Sequence, residues 1–431
     1  RDGGNTTNVT LIRILDVGCG TGVLALAAAD VTGDSNTNRM NGGAGNDTIS
    51  TAGGNDTIIG SIGNDSLDAG DGSDTIDYST ITGGGVTVDL TAGTATVTGI
   101  SDDTLVGVEN VIGTAQSDNI FGDGADSRIE ARAGDDFVDG GDGIDDILGE
   151  DGNDTLTGGD GADSLDGGDG TDTADYIGDL AGVNVDLAAG TALDASESTD
   201  TLSGIENVEG SDFDDTLAGD GLANELGGGD GADSISGAAG ADILFGDQGN
   251  DTLSGGDGDD TVAGGAGDDL ILADDGADDL SGDDGSDTLA FTGATEGVVF
   301  DIAAETLSND GFGNTETVFS IENAIGSAFA DSFTLGLDAQ VAGGAGDDLF
   351  TVNAGIGTGG VISDFTAGAE TDDVIDLSSF GFGNLAEVQA VSSDDGTSTT
   401  IQLSATDSIL LTDVLVADVA VDDFIFGINT F

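Results

Sequence analysis

From Gly42 onward the chain repeats itself every nine residues. The unit has the form G-G-x-G-x-D-x-U-x, with U aliphatic, and the first copy is Gly42-Gly43-Ala44-Gly45-Asn46-Asp47-Thr48-Ile49-Ser50. The phase continues through Asp56 and Ile58, Asp65 and Leu67, and Asp74 and Ile76. A second array covers about residues 113–175, a third about 210–290, and a short degenerate one lies near 326–351. One such unit is too small to bury a core of its own. Units must therefore stack on their neighbours, and the chain must form a solenoid.

Within each unit the G-G-x-G-x-D half reads as a turn, because glycine accepts positive φ and close backbone approach. The x-U-x half reads as a short strand whose single aliphatic side chain points inward, following the period-two alternation of strands. A second repeat separates the arrays: Gly85-Val86-Thr87-Val88-Asp89-Leu90, Gly182-Val183-Asn184-Val185-Asp186-Leu187 and Gly297-Val298-Val299-Phe300-Asp301-Ile302. Each copy is followed by an Ile/Val-Glu-Asn signature, at Glu109-Asn110, Glu206-Asn207 and Glu322-Asn323. Val86 to Val183 is 97 residues and Val183 to Val298 is 115, a difference of 18, or two units. Whole coils can be inserted without disturbing the stack, so the coil is predicted to hold 18 residues, with two turns and two strands. The fold class expected is all-β: parallel β-rolls separated by β-strand spacers that cap or bridge them. The absence of Pro agrees, since Pro would remove ladder donors.

Charge decides under what conditions such a stack can exist. The 431 residues carry 86 acids against 5 bases, all of them Arg, for a formal net charge of −81. A compact chain with that charge repels itself, which leaves disorder or neutralisation by bound cations. Nucleic acid and anionic membrane surfaces are excluded as partners, because both require basic side chains. Membrane insertion is not expected either: the most apolar run, Val23–Val31, falls well short of the roughly 18 residues a spanning helix needs. There is no His and one Cys, so His-dependent triads, His-type zinc sites and internal disulfides cannot be built. The chain starts at Arg1 without Met or a charged-then-apolar leader, as expected of a fragment or of a product exported without an N-terminal signal.

The nonapeptide resembles the RTX (hemolysin-type) calcium-binding repeat. Calcium takes six to eight oxygens, mixing carboxylates with backbone carbonyls at roughly 2.3–2.6 Å. A Gly-rich turn exposes carbonyls and its sixth residue adds a carboxylate, so each ion is expected between turns of neighbouring coils. The resemblance implies two rows of ions along the roll edges. It assigns as side-chain ligands Asp47, Asp56, Asp65 and Asp74 in the first array, and Asp136, Asp145, Asp154, Asp163 and Asp172 in the second. Asp215, Asp233, Asp242, Asp251, Asp260, Asp269, Asp278 and Asp287 follow in the third, and Asp348 in the degenerate one. Ser127 and Asn224 stand at the sixth position of their units, and Thr51-Ala52 and Ala131-Arg132 replace leading glycines. About twenty ions would offset on the order of 40 charges. Without calcium the chain is expected to be disordered, so that binding and folding form one event. Extracellular calcium modules bind at roughly 0.1–1 mM, which predicts a chain unfolded inside a cell and folded outside it.

The ends differ from the arrays. Gly360–Phe365, Asp373–Ser378 and Asp422–Phe426 carry less Gly and more Phe, and resemble the C-terminal region of RTX proteins exported by type I secretion; the alternative reading is strands that cap the last roll. Near the N-terminus, Ile14-Leu15-Asp16-Val17-Gly18-Cys19-Gly20-Thr21-Gly22-Val23-Leu24-Ala25-Leu26-Ala27 is very similar to the Gly-rich motif of S-adenosylmethionine-dependent methyltransferases. The repeat that follows supplies none of the sheet and helices that complete a cofactor cleft, so the segment is read as a remnant or a cap. The organisation expected is an atypical segment 1–41, rolls with their spacers at 42–112, 113–209 and 210–325, and a degenerate roll with a C-terminal cap or secretion-signal region at 326–431.

The function expected is that of a secreted calcium-binding protein on a bacterial surface or outside the cell. Its rolls would act as structural, adhesive or matrix modules, with calcium ions, the type I apparatus and surface or matrix glycans or proteins as partners. The alternative is the C-terminal RTX region of a larger toxin or hydrolase whose catalytic domain precedes Arg1. No catalytic residues are assigned: paired-carboxylate glycosidase chemistry is compatible with the composition, but a glycan cleft normally carries stacking aromatics, and Tyr78 and Tyr176 instead follow the last turns of their arrays at equivalent places.

Overall fold

The computed structural model describes residues 10–13, 29–97, 101–367 and 373–427. The methyltransferase-like segment, Cys19 included, lies outside the described residues. The chain forms two compact units, 1–209 and 210–431.

In the first unit the strands are short and pair in parallel with the strand 18 residues further on. Thr48–Ser50 pairs with Ser66–Asp68, Thr57–Ile59 with Thr75–Asp77, and Phe137–Asp142 with Thr155–Asp160. Successive strands alternate between two sheets, so one coil contributes one strand to each. The 18-residue coil expected from the spacer arithmetic is the coil observed. Every strand buries its one aliphatic residue: Ile49, Ile58, Leu67 and Ile76 are at most 1% exposed, and Ile129, Val138, Ile147 and Leu156 are fully buried. The core is therefore a single thin layer of Ile, Leu and Val between two sheets.

Spacers interrupt this pattern with antiparallel pairing. Val86–Asp89, Thr94–Val97 and Ser101–Val106 form a three-stranded meander. Its last strand pairs in parallel with Ser66–Asp68 of the array before, and its first with Asn119–Asp123 of the array after. The second spacer repeats the meander with Asn184–Asp186, Thr191–Leu193 and Thr199–Ser203, the last strand pairing with Ser164–Asp169. Alternating Val86, Val88, Ala95 and Val97 are buried, which carries the core through the splice.

The second unit repeats the roll. Ser234–Ser236 pairs with Thr252–Ser254, and Ile243–Phe245 with Thr261–Ala266. Its spacer keeps one antiparallel pair, Val299–Asp301 with Thr306–Asn309. Beyond it the core turns aromatic: Phe333 and Phe350 stack at 6.3 Å, and Phe365 lies 6.2 Å from Phe350. A helix, Leu385–Val391, is capped by Asn384, whose Oδ1 accepts the Glu387 N–H at 3.2 Å. Antiparallel strands Thr399–Gln402 and Ser408–Leu411 follow, and Phe424–Ile425 adds in parallel to Val374–Asp376. Among the described residues no helix is long and apolar enough to cross a membrane.

Candidate metal centre

The turn is built around two backbone demands. Its second residue adopts the left-handed conformation, with φ of 94° at Gly141 and 91° at Gly159, and Ala52, Arg132 and Glu150 are held at 82°, 90° and 74° at the same place. The first glycine has no room for a side chain. A Cβ on Gly149 would overlap Asp154 Oδ2 and the Gly167 carbonyl of the next coil, and one on Gly246 would overlap Asp251 Oδ2 and the Gly264 carbonyl. Carboxylate and carbonyl oxygens thus converge beside these first glycines.

The sixth-position Asp side chains are inside the fold. None of the eighteen named from the sequence is more than 4% exposed. Their two oxygens do different work. Oδ1 accepts the backbone N–H of the sixth residue one coil earlier: Asp136 donates to Asp154 at 2.8 Å, Asp145 to Asp163 at 2.7 Å, Asp154 to Asp172 at 2.7 Å and Asp233 to Asp251 at 2.8 Å. Asp348 receives the Asp331 N–H at 2.8 Å in the same way. These bonds make a ladder of carboxylates along each edge of the roll. Oδ2 is buried and has no hydrogen-bond partner in fifteen of them: Asp47, Asp56, Asp74, Asp136, Asp145, Asp154, Asp163, Asp172, Asp233, Asp242, Asp251, Asp260, Asp269, Asp278 and Asp287.

Burial raises the carboxyls of this ladder, and neighbouring acids add to it. Asp136, Asp145, Asp251 and Asp278 are pushed up to about 7, and Asp154, Asp233, Asp242, Asp287 and Asp348 to about 6. The ladder N–H pulls the other way without offsetting burial.

Asp65 and Asp215 have the same place in the ladder but no vacant oxygen. Ser61 Oγ donates to Asp65 Oδ2 at 2.9 Å, and Asp215 Oδ2 accepts the Ser211 N–H at 2.6 Å while Ser211 Oγ donates to Oδ1 at 2.9 Å. Asp118 and Asp331, which the repeat pattern did not single out, are held alike. Thr114 N–H reaches Asp118 Oδ2 at 2.6 Å, and Ser327 N–H reaches Asp331 Oδ2 at 2.6 Å. In all four turns Ser or Thr replaces the second glycine, and three of these turns open an array just after a spacer. The signal was present in the sequence, four residues before each Asp.

Spacers continue the ladder with acids of their own. The glutamates of the Ile/Val-Glu-Asn signature accept the last turn's N–H: Asp74 donates to Glu109 at 2.8 Å, Asp172 to Glu206 at 2.9 Å and Asp287 to Glu322 at 3.0 Å. On the other edge Asp65 donates to Asp103 and Asp163 to Asp200, both at 3.0 Å. Here the second oxygen is closed by tyrosine, Tyr78 Oη donating to Asp103 at 3.0 Å and Tyr176 Oη to Asp200 at 3.3 Å. Ser127, at a sixth position, donates its N–H to Asp145 and turns its hydroxyl to the Ala125 carbonyl at 3.0 Å.

The donor set suits a hard cation. It offers buried, unshared carboxylate oxygens beside backbone carbonyls, and no nitrogen or sulfur ligand. No three acidic side chains among the described residues converge on one point, so carbonyls have to complete any coordination shell.

Comparison with known proteins agrees with this chemistry. The RTX calcium-binding nonapeptide repeat (4 copies) matches residues 32–67, 50–79, 112–147, 139–174, 219–253 and 254–289. No curated protein matches the chain. Among solved structures, the extracellular lipase LipA from Serratia marcescens aligns at 15% identity over 73% of this chain and 40% of the lipase, with a TM-score of 0.13. The chain thus spans well under half the length of that enzyme. The matched blocks fall on the arrays whose Asp ladder has just been described: the chain carries RTX calcium-binding nonapeptide repeats, and repeats of this kind bind several calcium ions.

Proposed function

We propose that this chain is a secreted calcium-responsive structural module, whose rolls order when they meet extracellular calcium. The observation that carries the reading is the row of fifteen buried Oδ2 atoms without a partner. A buried polar group left unsatisfied costs roughly 1–3 kcal/mol, and more when charged. Fifteen of them outweigh the roughly 5–15 kcal/mol that holds a domain together. The ladder therefore needs a counter-charge at each vacant oxygen, and calcium supplies it. The proposed side-chain ligands are these fifteen Asp residues, assisted by the carbonyls beside the first glycine of each turn. Asp65 and Asp215, closed by Ser61 and Ser211, hold the ladder without an ion, and Asp348 joins the fifteen as a ligand of the degenerate array.

Export through a type I apparatus follows from the same reading: at cytosolic calcium the polyanion stays open, and outside the cell it closes. Carrying 86 acids, the folded rolls suit a surface, adhesive or matrix role. The test is a calcium titration of the full chain followed by far-ultraviolet circular dichroism. A cooperative coil-to-β transition near millimolar calcium is expected, reversed by EGTA. Magnesium should fail to replace it, since it holds its water and demands tight octahedral geometry. Identical ellipticity with and without EGTA would sink the proposal.

A further inference from the structure

The third spacer departs from the first two at one place in the ladder. In each spacer an acid accepts the N–H of the last Asp on one edge: Asp103 from Asp65, Asp200 from Asp163, and Glu316 from Asp278, the last at 2.8 Å. Four positions after the array's last Asp stands an aromatic residue. In the first two spacers that residue is Tyr78 or Tyr176, and its hydroxyl closes the acid's second oxygen. In the third it is Phe291, fully buried and without a hydroxyl. Glu316 is 8% exposed, and its Oε1 is buried with no hydrogen-bond partner.

A second carboxylate, that of Asp310, lies against Glu316. Asp310 is 1% exposed and is locked by its own loop, its Oδ1 accepting the N–H groups of Phe312 at 3.0 Å and Gly313 at 2.8 Å. Two acids in contact inside a fold cannot both stay ionised unless a cation lies between them; the alternative is a shared proton.

We infer that Glu316 and Asp310 form an additional calcium site, outside any nonapeptide, which extends the Asp242–Asp260–Asp278 row by one ion where the first two spacers end theirs with a tyrosine hydroxyl. The inference rests on the calcium reading of the arrays. It adds a ligand pair that the G-G-x-G-x-D pattern does not mark, and it explains why Tyr becomes Phe and Asp becomes Glu together in this one spacer.

The test counts ions on the intact chain by native mass spectrometry at saturating calcium, with circular dichroism to confirm the β fold. Glu316→Gln keeps the ladder acceptor and removes the charge, and should lower the count by one. The double variant Phe291→Tyr with Glu316→Asp rebuilds the tyrosine-closed acid of the other spacers, and should also lose one ion while keeping the fold. If Glu316→Gln fails to fold, the double variant decides. A count equal to that of the parent in the folded variant overturns the inference and leaves a carboxyl pair sharing a proton. Absence of calcium from the parent chain would instead refute the reading of the arrays.

Discussion

Asp154 and Asp65 occupy the same place in the repeat, make the same ladder bond and are both buried, yet one has a vacant oxygen and the other does not. The difference comes from one residue, Glu150 in a left-handed conformation against Ser61 with a hydroxyl. It teaches that the ladder can be closed in two ways. Within the arrays the second oxygen has no hydrogen-bond partner, which is the vacancy proposed for calcium. At Ser61, at the first turns after spacers, and at Tyr78 and Tyr176, the chain closes it with its own hydrogen bonds. Each roll therefore alternates stretches that need calcium with turns that hold themselves together without it, and the latter cluster where an array begins or ends.

The largest effect that separates the two classes is expected from removing an array carboxylate. Asp154→Ala deletes the acceptor of the Asp136 N–H together with the vacant oxygen. Losing one partner of a buried charged contact costs roughly 3–5 kcal/mol, so urea unfolding of the calcium-loaded chain should show a loss of that size. The calcium midpoint of folding should rise with it, because one vacant oxygen fewer is left for the cation. An unchanged calcium midpoint would show that Oδ2 of Asp154 does not face a cation.

Acid should act in opposite directions on the two forms. Asp136, Asp145, Asp251 and Asp278 lie near 7 in the metal-free fold because they are buried, against about 3.9 for an exposed Asp. A carboxyl raised on folding binds more protons in the folded state, so its contribution is full below about pH 4 and is lost as pH rises through 6 to 7. Chain freed of calcium should therefore gain β ellipticity between pH 7.5 and 5. Over the same range the calcium midpoint should rise, since protons compete for the same oxygens. Parallel pH slopes with and without calcium would contradict the assignment.

Much of this is legible in the sequence. The aliphatic residue held in phase fixed the inward face, as Ile49, Ile58, Leu67 and Ile76 show, and the 18-residue difference between spacer separations gave the coil. The division of labour between carboxylate oxygens was not legible, because it depends on which N–H lies one coil away. Nor was the role of Glu109, Glu206 and Glu322: each accepts an N–H from a residue more than thirty positions earlier, a distance set by the length of the meander between them. The spacers read as strands that cap or bridge the rolls, but alternation alone does not mark the antiparallel meander by which Val86–Asp89, Thr94–Val97 and Ser101–Val106 do so. Ser61 and Ser211 stand where the unit has its second glycine, and in the structure they donate to Asp65 and Asp215.

The smallest effect tests that replacement directly. Ser61→Ala removes one hydroxyl from Asp65 and leaves the ladder bond from Asp47 intact at 2.8 Å. A hydrogen bond to a charged group contributes roughly 1.5–3 kcal/mol, and some of that returns if a cation or water reaches the exposed oxygen, so a loss of about 1–2 kcal/mol is expected in urea unfolding with calcium present. The decisive feature is the dependence on calcium. If Ser61 closes a turn that otherwise takes no ion, the deficit should shrink as calcium rises well above the midpoint, because the freed Oδ2 becomes one more vacant oxygen of the array type. A deficit that stays constant with calcium concentration would mean that Asp65 cannot be converted to a ligand, and that the two classes differ in more than their second residue.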